Sequence, residues 1–217
     1  MQAVKGSLRV PMAQKLSSLD KLQRVFVHDR HELRAWLADN HLTSPGIWLV
    51  TYRKVTGKPR PVISEIVEEL LCFGWIDSKL VQIDETQTKL LCTPRKTTSH
   101  WSTPNKERVQ KLSELGLMQP RGLEMVAIAK ANGRWDYLED VENLEEPEDL
   151  VAALNAQADA RRHWGAFPAS YRKGILYWIR TAKRPETRAA RIEAAVTSAN
   201  SNTRLQGGTR ASLGKKP

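Results

Sequence analysis

Three short stretches of this chain bring polar and aromatic side chains to the ends of regular elements. The first is Phe73-Gly74-Trp75-Ile76-Asp77. The second is Pro94-Arg95-Lys96, and the third is Ser99-His100-Trp101-Ser102-Thr103-Pro104-Asn105, which leads to Arg108. An aspartate, two guanidinium groups and two indoles have the makings of a small cleft. Arg95 and Arg108 would hold an anionic group, Asp77 would orient it or take a proton, and Trp75 and Trp101 would wall the pocket. The same residues also suit a purely structural role. Asp77 and Arg95 would then tie the base of a hairpin to the next helix, with the indoles in the core. Both readings stand at this point.

Other familiar chemistries find no support. Thr56-Gly57-Lys58 resembles the end of a phosphate-binding loop, but Tyr52 stands where its first glycine is required. There is no Cys-x-x-Cys and no His-Glu-x-x-His, and the five histidines are scattered. His28 and His31 share a helical turn without evident partner ligands, so neither a metal nor a cofactor is expected. Ser99-His100 is too close in sequence for a nucleophile and its base, since such sets assemble in space. Cys72 lies beside an apolar helical face, where a thiol packs as a small hydrophobe.

The elements that must position the cleft are legible from period and punctuation. A short strand spans 24–27, and a helix over 29–40 has Asp29 as its cap and Leu33, Trp36 and Leu37 on one face. Ile47-Trp48-Leu49-Val50-Thr51-Tyr52 reads as the strongest strand. Ser64 is the expected cap of the next helix, whose buried face is expected to carry Ile63, Ile66, Val67, Leu70 and Leu71 and which Gly74 ends. Residues 75–83 and 88–93 form a hairpin about 84–87. Pairing 83 with 88 sets 77 opposite 94, and so brings Asp77 to Arg95. The remainder reads as helices starting near Pro104, Pro120, Pro147, Pro168 and Pro185. Clustered strands followed by helices define an α+β fold: a small sheet with its hairpin in the N-terminal half and a helical C-terminal half. The expected division is a disordered extension over 1–22, an α+β domain over 23–116, a helical region packed on it over 117–197, and a disordered basic tail over 198–217.

The net charge of +10 invites a nucleic-acid reading, but its distribution weakens it. Residues 1–22 carry +3 and the tail after Asn200 carries +4, which leaves +3 for the body. Arg184, Arg188 and Arg191 are the polyanion-binding candidates. The acidic segment 136–149, which has no lysine or arginine, is an equally good partner for them. No apolar run is long enough to insert into a membrane and no signal peptide is visible. Two cysteines are too few for a disulfide framework, so a reduced, cytoplasmic setting is expected.

The chain resembles the YdeI/OmpD-associated family, also described as bacteriocin-protection proteins. The resemblance rests on Trp48 in Gly46-Ile47-Trp48-Leu49, on Leu71-Cys72-Phe73-Gly74-Trp75-Ile76-Asp77, on Pro94-Arg95-Lys96 with Ser99-His100-Trp101-Ser102 and Asn105, and on Ala182-Lys183-Arg184-Pro185-Glu186-Thr187-Arg188 with Arg191-Ile192. It runs over about 24–197, with Ser78 where the family usually has glycine. It implies a soluble bacterial protein linked to envelope stress or bacteriocin resistance, and it carries over no reaction and no catalytic residue. The expected function is therefore a non-enzymatic binding protein that takes a small anionic ligand or a protein segment. Its expected ligand-binding residues are Trp48, Trp75, Asp77, Arg95, Lys96, Ser99, Trp101, Asn105 and Arg108. An enzyme at the same cleft, with Asp77 as general base, and a nucleic-acid binder using the C-terminal arginines are the alternatives.

Overall fold

The computed structural model describes residues 18–205. The expected disorder of the two ends falls largely on residues 1–17 and 206–217, which lie outside the described residues. Ser18–Lys21 forms a 3-10 turn, and the last helix runs beyond 197.

Four strands, β1 (Gln23–Phe26), β2 (Ile47–Tyr52), β3 (Trp75–Gln82) and β4 (Gln87–Pro94), form one sheet in the order β1-β2-β4-β3. β1 and β2 are parallel, joined through α1 (Arg30–Asn40), while β4 runs antiparallel to both of its neighbours. Asp29 caps α1 as expected: its Oδ1 accepts from the N–H groups of His31 at 2.8 Å and Glu32 at 2.9 Å. α2 (Ile63–Cys72) begins one residue before the expected cap, so Ser64 lies within its first turn. Glu65 takes over the capping role, accepting from the Val62 N–H at 2.9 Å, where its charge also suits the positive end of the helix. At the other end Gly74 has φ 71, the left-handed conformation that lets the chain leave a helix and enter a strand.

One face of the sheet carries Val25, Ile47, Leu49, Leu90 and Cys92 into the first core. α1 adds Leu33 and Leu37, and α2 adds Ile66, Leu70 and Leu71. α3 (Thr103–Glu114) and α4 (Pro120–Ala131) close it with Leu112, Met125 and Ala129. Within it, Glu69 is 1% exposed and is paired with two arginines of α1. Arg30 donates to Oε1 at 2.6 and 3.0 Å, and Arg34 to Oε2 at 2.7 Å. Arg34 also donates to the Leu117 carbonyl at 2.9 Å, so one buried carboxylate joins α1, α2 and the α3–α4 link. Both cysteines are buried and free. Burial pushes both thiols up, that of Cys92 well above the usual thiol range, so neither is a ready nucleophile.

A second core is built by α5 (Glu139–Glu142), α6 (Glu148–Asn155), α7 (Ala158–Ala166), α8 (Ala169–Arg180) and α9 (Pro185–Asn200). The two cores divide between Ala129 and Leu138, whereas the sequence places the border at 116. α4 belongs to the first because Gly122 lets it approach α2 backbone to backbone. The α+β class holds, with one small sheet in the N-terminal half and helices dominating the rest. No helix among the described residues is long and apolar enough to cross a membrane.

A Cβ at Gly122 would stand 2.2 Å from the Cys72 carbonyl oxygen, so Gly122→Ala must force α4 away from α2. Thermal unfolding is expected to show a loss of about 3 kcal/mol, a drop of roughly 6–12 °C. Gly165→Ala is the control: it adds a Cβ to α7 where nothing lies within 4 Å, and its melting temperature should stay level or rise.

Candidate functional site

The hairpin brings its base together differently from the register read in the sequence. Asp84 Oδ1 accepts from the N–H groups of Thr86 at 2.6 Å and Gln87 at 2.9 Å, which tightens the turn so that Ile83 bonds Gln87 and not residue 88. A bulge between Asp77 and Leu80 then slips the strand further. Asp77 consequently pairs with Cys92, and Trp75 takes the place opposite Pro94. The expected register of 77 with 94 is corrected by these two steps. Asp77 stands beside the Cys92 thiol, and its charge adds to the burial that raises that group.

The expected ligand-binding residues go to separate places. Trp75 is buried on the α1 side, where its Nε1 donates to the His41 carbonyl at 3.0 Å and Trp36 meets it edge-on at 5.9 Å. Trp48 pairs with Leu91, and its Nε1 donates to the Leu19 carbonyl at 2.8 Å. Arg95 and Trp101 do come together. The guanidinium is 3% exposed, lies 3.8 Å from the Trp101 ring centroid, and donates to the His100 carbonyl at 3.1 Å. Ser99 closes a turn by donating its N–H to the Lys96 carbonyl at 2.9 Å, and Lys96 is exposed. Arg108 donates to Asn105 Oδ1 at 3.2 Å, within the first turns of α3. This loop meets the helical half at His100, whose ring stacks on Tyr137 at 4.0 Å, while Trp101 packs against Trp135 at 5.1 Å within the first core. Of the motif residues, His100 thus reaches the second core, while Arg95 and Trp101 pack together at the edge of the first.

An opening lies in the helical half. A groove of about 680 Å³ runs between α6 and α9, floored by Ala153, Ala156, Ala189, Ile192 and Val196. Arg188 and Asp149 stand on its rim, joined by two parallel hydrogen bonds from the guanidinium: Nε donates to Oδ2 at 2.6 Å and Nη2 to Oδ1 at 2.8 Å. Arg191 turns to α8, donating to the Trp178 carbonyl and to Thr181 Oγ1, with its guanidinium 5.2 Å from the Trp178 ring. Arg184 is the exposed residue before α9. Two of the three expected polyanion contacts are therefore engaged within the protein, and the acidic segment supplies Arg188's partner. The groove leaves no mark in the sequence because its lining is alanines and polar residues set around Ile192 and Val196.

Among the described residues no cluster of three metal-ligating side chains occurs. Comparison with known families divides the chain as its cores do. Residues 25–125 match a Domain of unknown function (DUF8412). Residues 143–202 match the family described as Bacteriocin-protection, YdeI or OmpD-Associated. The C-terminal part of the chain, which holds the groove, is thus similar to that family. The motifs from Trp48 to Asn105 fall in the other match, so the family assignment covers less of the chain than the resemblance over 24–197. No curated protein and no solved structure matches the chain.

The Arg188 guanidinium holds the Asp149 carboxyl below the usual carboxylate range. A carboxyl lowered in the folded state stabilises the fold above its unfolded value and loses that contribution as the pH falls through its folded value. Wild type should therefore melt above Asp149→Asn near pH 6, and the gap should close as the pH drops below about 4. Equal gaps at both pH values would contradict the pairing.

Proposed function

We propose that this chain is a non-enzymatic binding protein that takes a polypeptide segment of a partner in the groove between α6 and α9. The observation that carries this reading is the groove itself, about 680 Å³ with an apolar floor, within the segment that matches the bacteriocin-protection family. Its chemistry favours a polypeptide over a small anion. Arg188 is neutralised by Asp149 on the rim, and Glu193 adds a negative charge to the wall. Alanines at 153, 156 and 189 leave room for a partner's side chains to reach Ile192 and Val196. That is how an amphipathic helix docks, with apolar anchors below and polar groups at the edges. Bacteriocins are themselves polypeptides, and capture of one is a direct route to protection.

The loop from Arg95 to Arg108 takes a supporting role in this reading, closing the N-terminal core against the helical half. The free thiols of Cys72 and Cys92 support a reducing, cytoplasmic setting.

Ala189 is exposed, so Ala189→Trp fills the groove without disturbing a core. A phage-displayed library of short random peptides, selected on the wild-type chain, should yield binders that lose at least about tenfold in affinity for Ala189→Trp. A selection that enriches no peptide, or one whose peptides bind both proteins equally, would sink the proposal.

A further inference from the structure

A second opening, in the N-terminal half, has a different chemistry. It lies between α3 and α4 and has a volume of about 530 Å³, within the range of small-molecule sites. Val109 and Val126 form its buried floor, and Leu123, 49% exposed, extends the apolar surface to the rim. Trp135 closes one end. Its indole packs against buried Trp101, and two ammonium groups stand over it, Lys130 Nζ at 5.1 Å and Lys106 Nζ at 5.5 Å from the ring centroid. An indole face holds a cation in place while the charge stays at the water boundary. The opening therefore pairs an apolar bed with two positioned positive charges.

We propose that this opening binds an organic monoanion, a carboxylate set between Lys106 and Lys130 with its apolar body on Leu123, Val126 and Trp135. Lys106 already meets Asp136 Oδ1 at 2.9 Å, but the Asp136 side chain is 62% exposed, so water screens that pair and a ligand carboxylate can replace it. The acids also set the charge of the ligand. Glu107 in the wall and Asp136 beside the rim repel a second negative charge. A nucleic acid needs a run of cations along its backbone, and two lysines flanked by two acids do not supply one. The site is independent of the α6–α9 groove, which carries none of these residues.

Sodium octanoate is the probe, titrated into the full chain and followed by calorimetry, with 1-octanol as its neutral counterpart. Octanoate should bind saturably with one site, and 1-octanol at least about tenfold more weakly. Lys130→Gln and Leu123→Asp both change exposed positions and should each weaken octanoate by about tenfold or more, while Ala189→Trp leaves it unchanged. No saturable heat up to about 10 mM octanoate would overturn the site. So would equal binding of octanol, an affinity that survives both Lys130→Gln and Leu123→Asp, or one lost in Ala189→Trp.

Discussion

Arg188 sets the spacing on which the helical half depends. Its guanidinium meets Asp149 at the start of α6 through two hydrogen bonds, and a third donor reaches toward the Ile179 carbonyl at 3.5 Å. One turn further along α9, Arg191 grips the end of α8 through the Trp178 carbonyl. α9 is thereby tied at its N-terminal end to α6 and α8, while its buried residues Ile192, Ala195, Val196 and Ala199 face the second core. The groove is the interval left beside these ties. It stays open because the side chains along it are small, and its rim stays polar because the ion pair lies there.

The N-terminal half answers a different constraint. Its sheet has helices on one side, and a buried carboxylate, Glu69, binds those helices to one another. Removing one partner of such a cluster leaves an uncompensated charge in the core, which costs far more than the intact cluster contributes. The two halves meet where His100 stacks on Tyr137, beside the Trp101–Trp135 pair of the first core. Arg95, pressed on Trp101, fixes the loop that makes these contacts. The motif that looks most like chemistry in the sequence thus serves to join two cores.

Much of the fold was legible in the residues. β2 was read at its full extent because Ile47 to Tyr52 is aromatic and β-branched throughout, and Asp29 and Gly74 mark their helix boundaries by chemistry that few other residues supply. Proline placed the starts of α3, α4, α6, α8 and α9. The failures have physical causes. The bulge after Asp77 carries Ser78 and Lys79, with no glycine to announce it, so the register was set too far along β4. Ser64 has the residue type of a cap, but Glu65 reaches back to accept from the Val62 N–H in its place. α7 has no pattern that marks it in the sequence, because Ala158 to Ala166 offers one indole and no repeat. The candidate site was legible only in fragments. The sequence matched the C-terminal arginines to the acidic segment, and Arg188 on Asp149 is that pairing. The hollow beside it is a property of how α6 and α9 pack, which no local pattern encodes.

Hydrogen–deuterium exchange of the full chain with and without a selected peptide tests the central claim most directly. The account predicts slowed exchange in α6 and the first three turns of α9, with the loop around Arg95 and Trp101 unchanged. Protection confined to that loop, or to the hairpin base at Trp75 and Asp77, would contradict it.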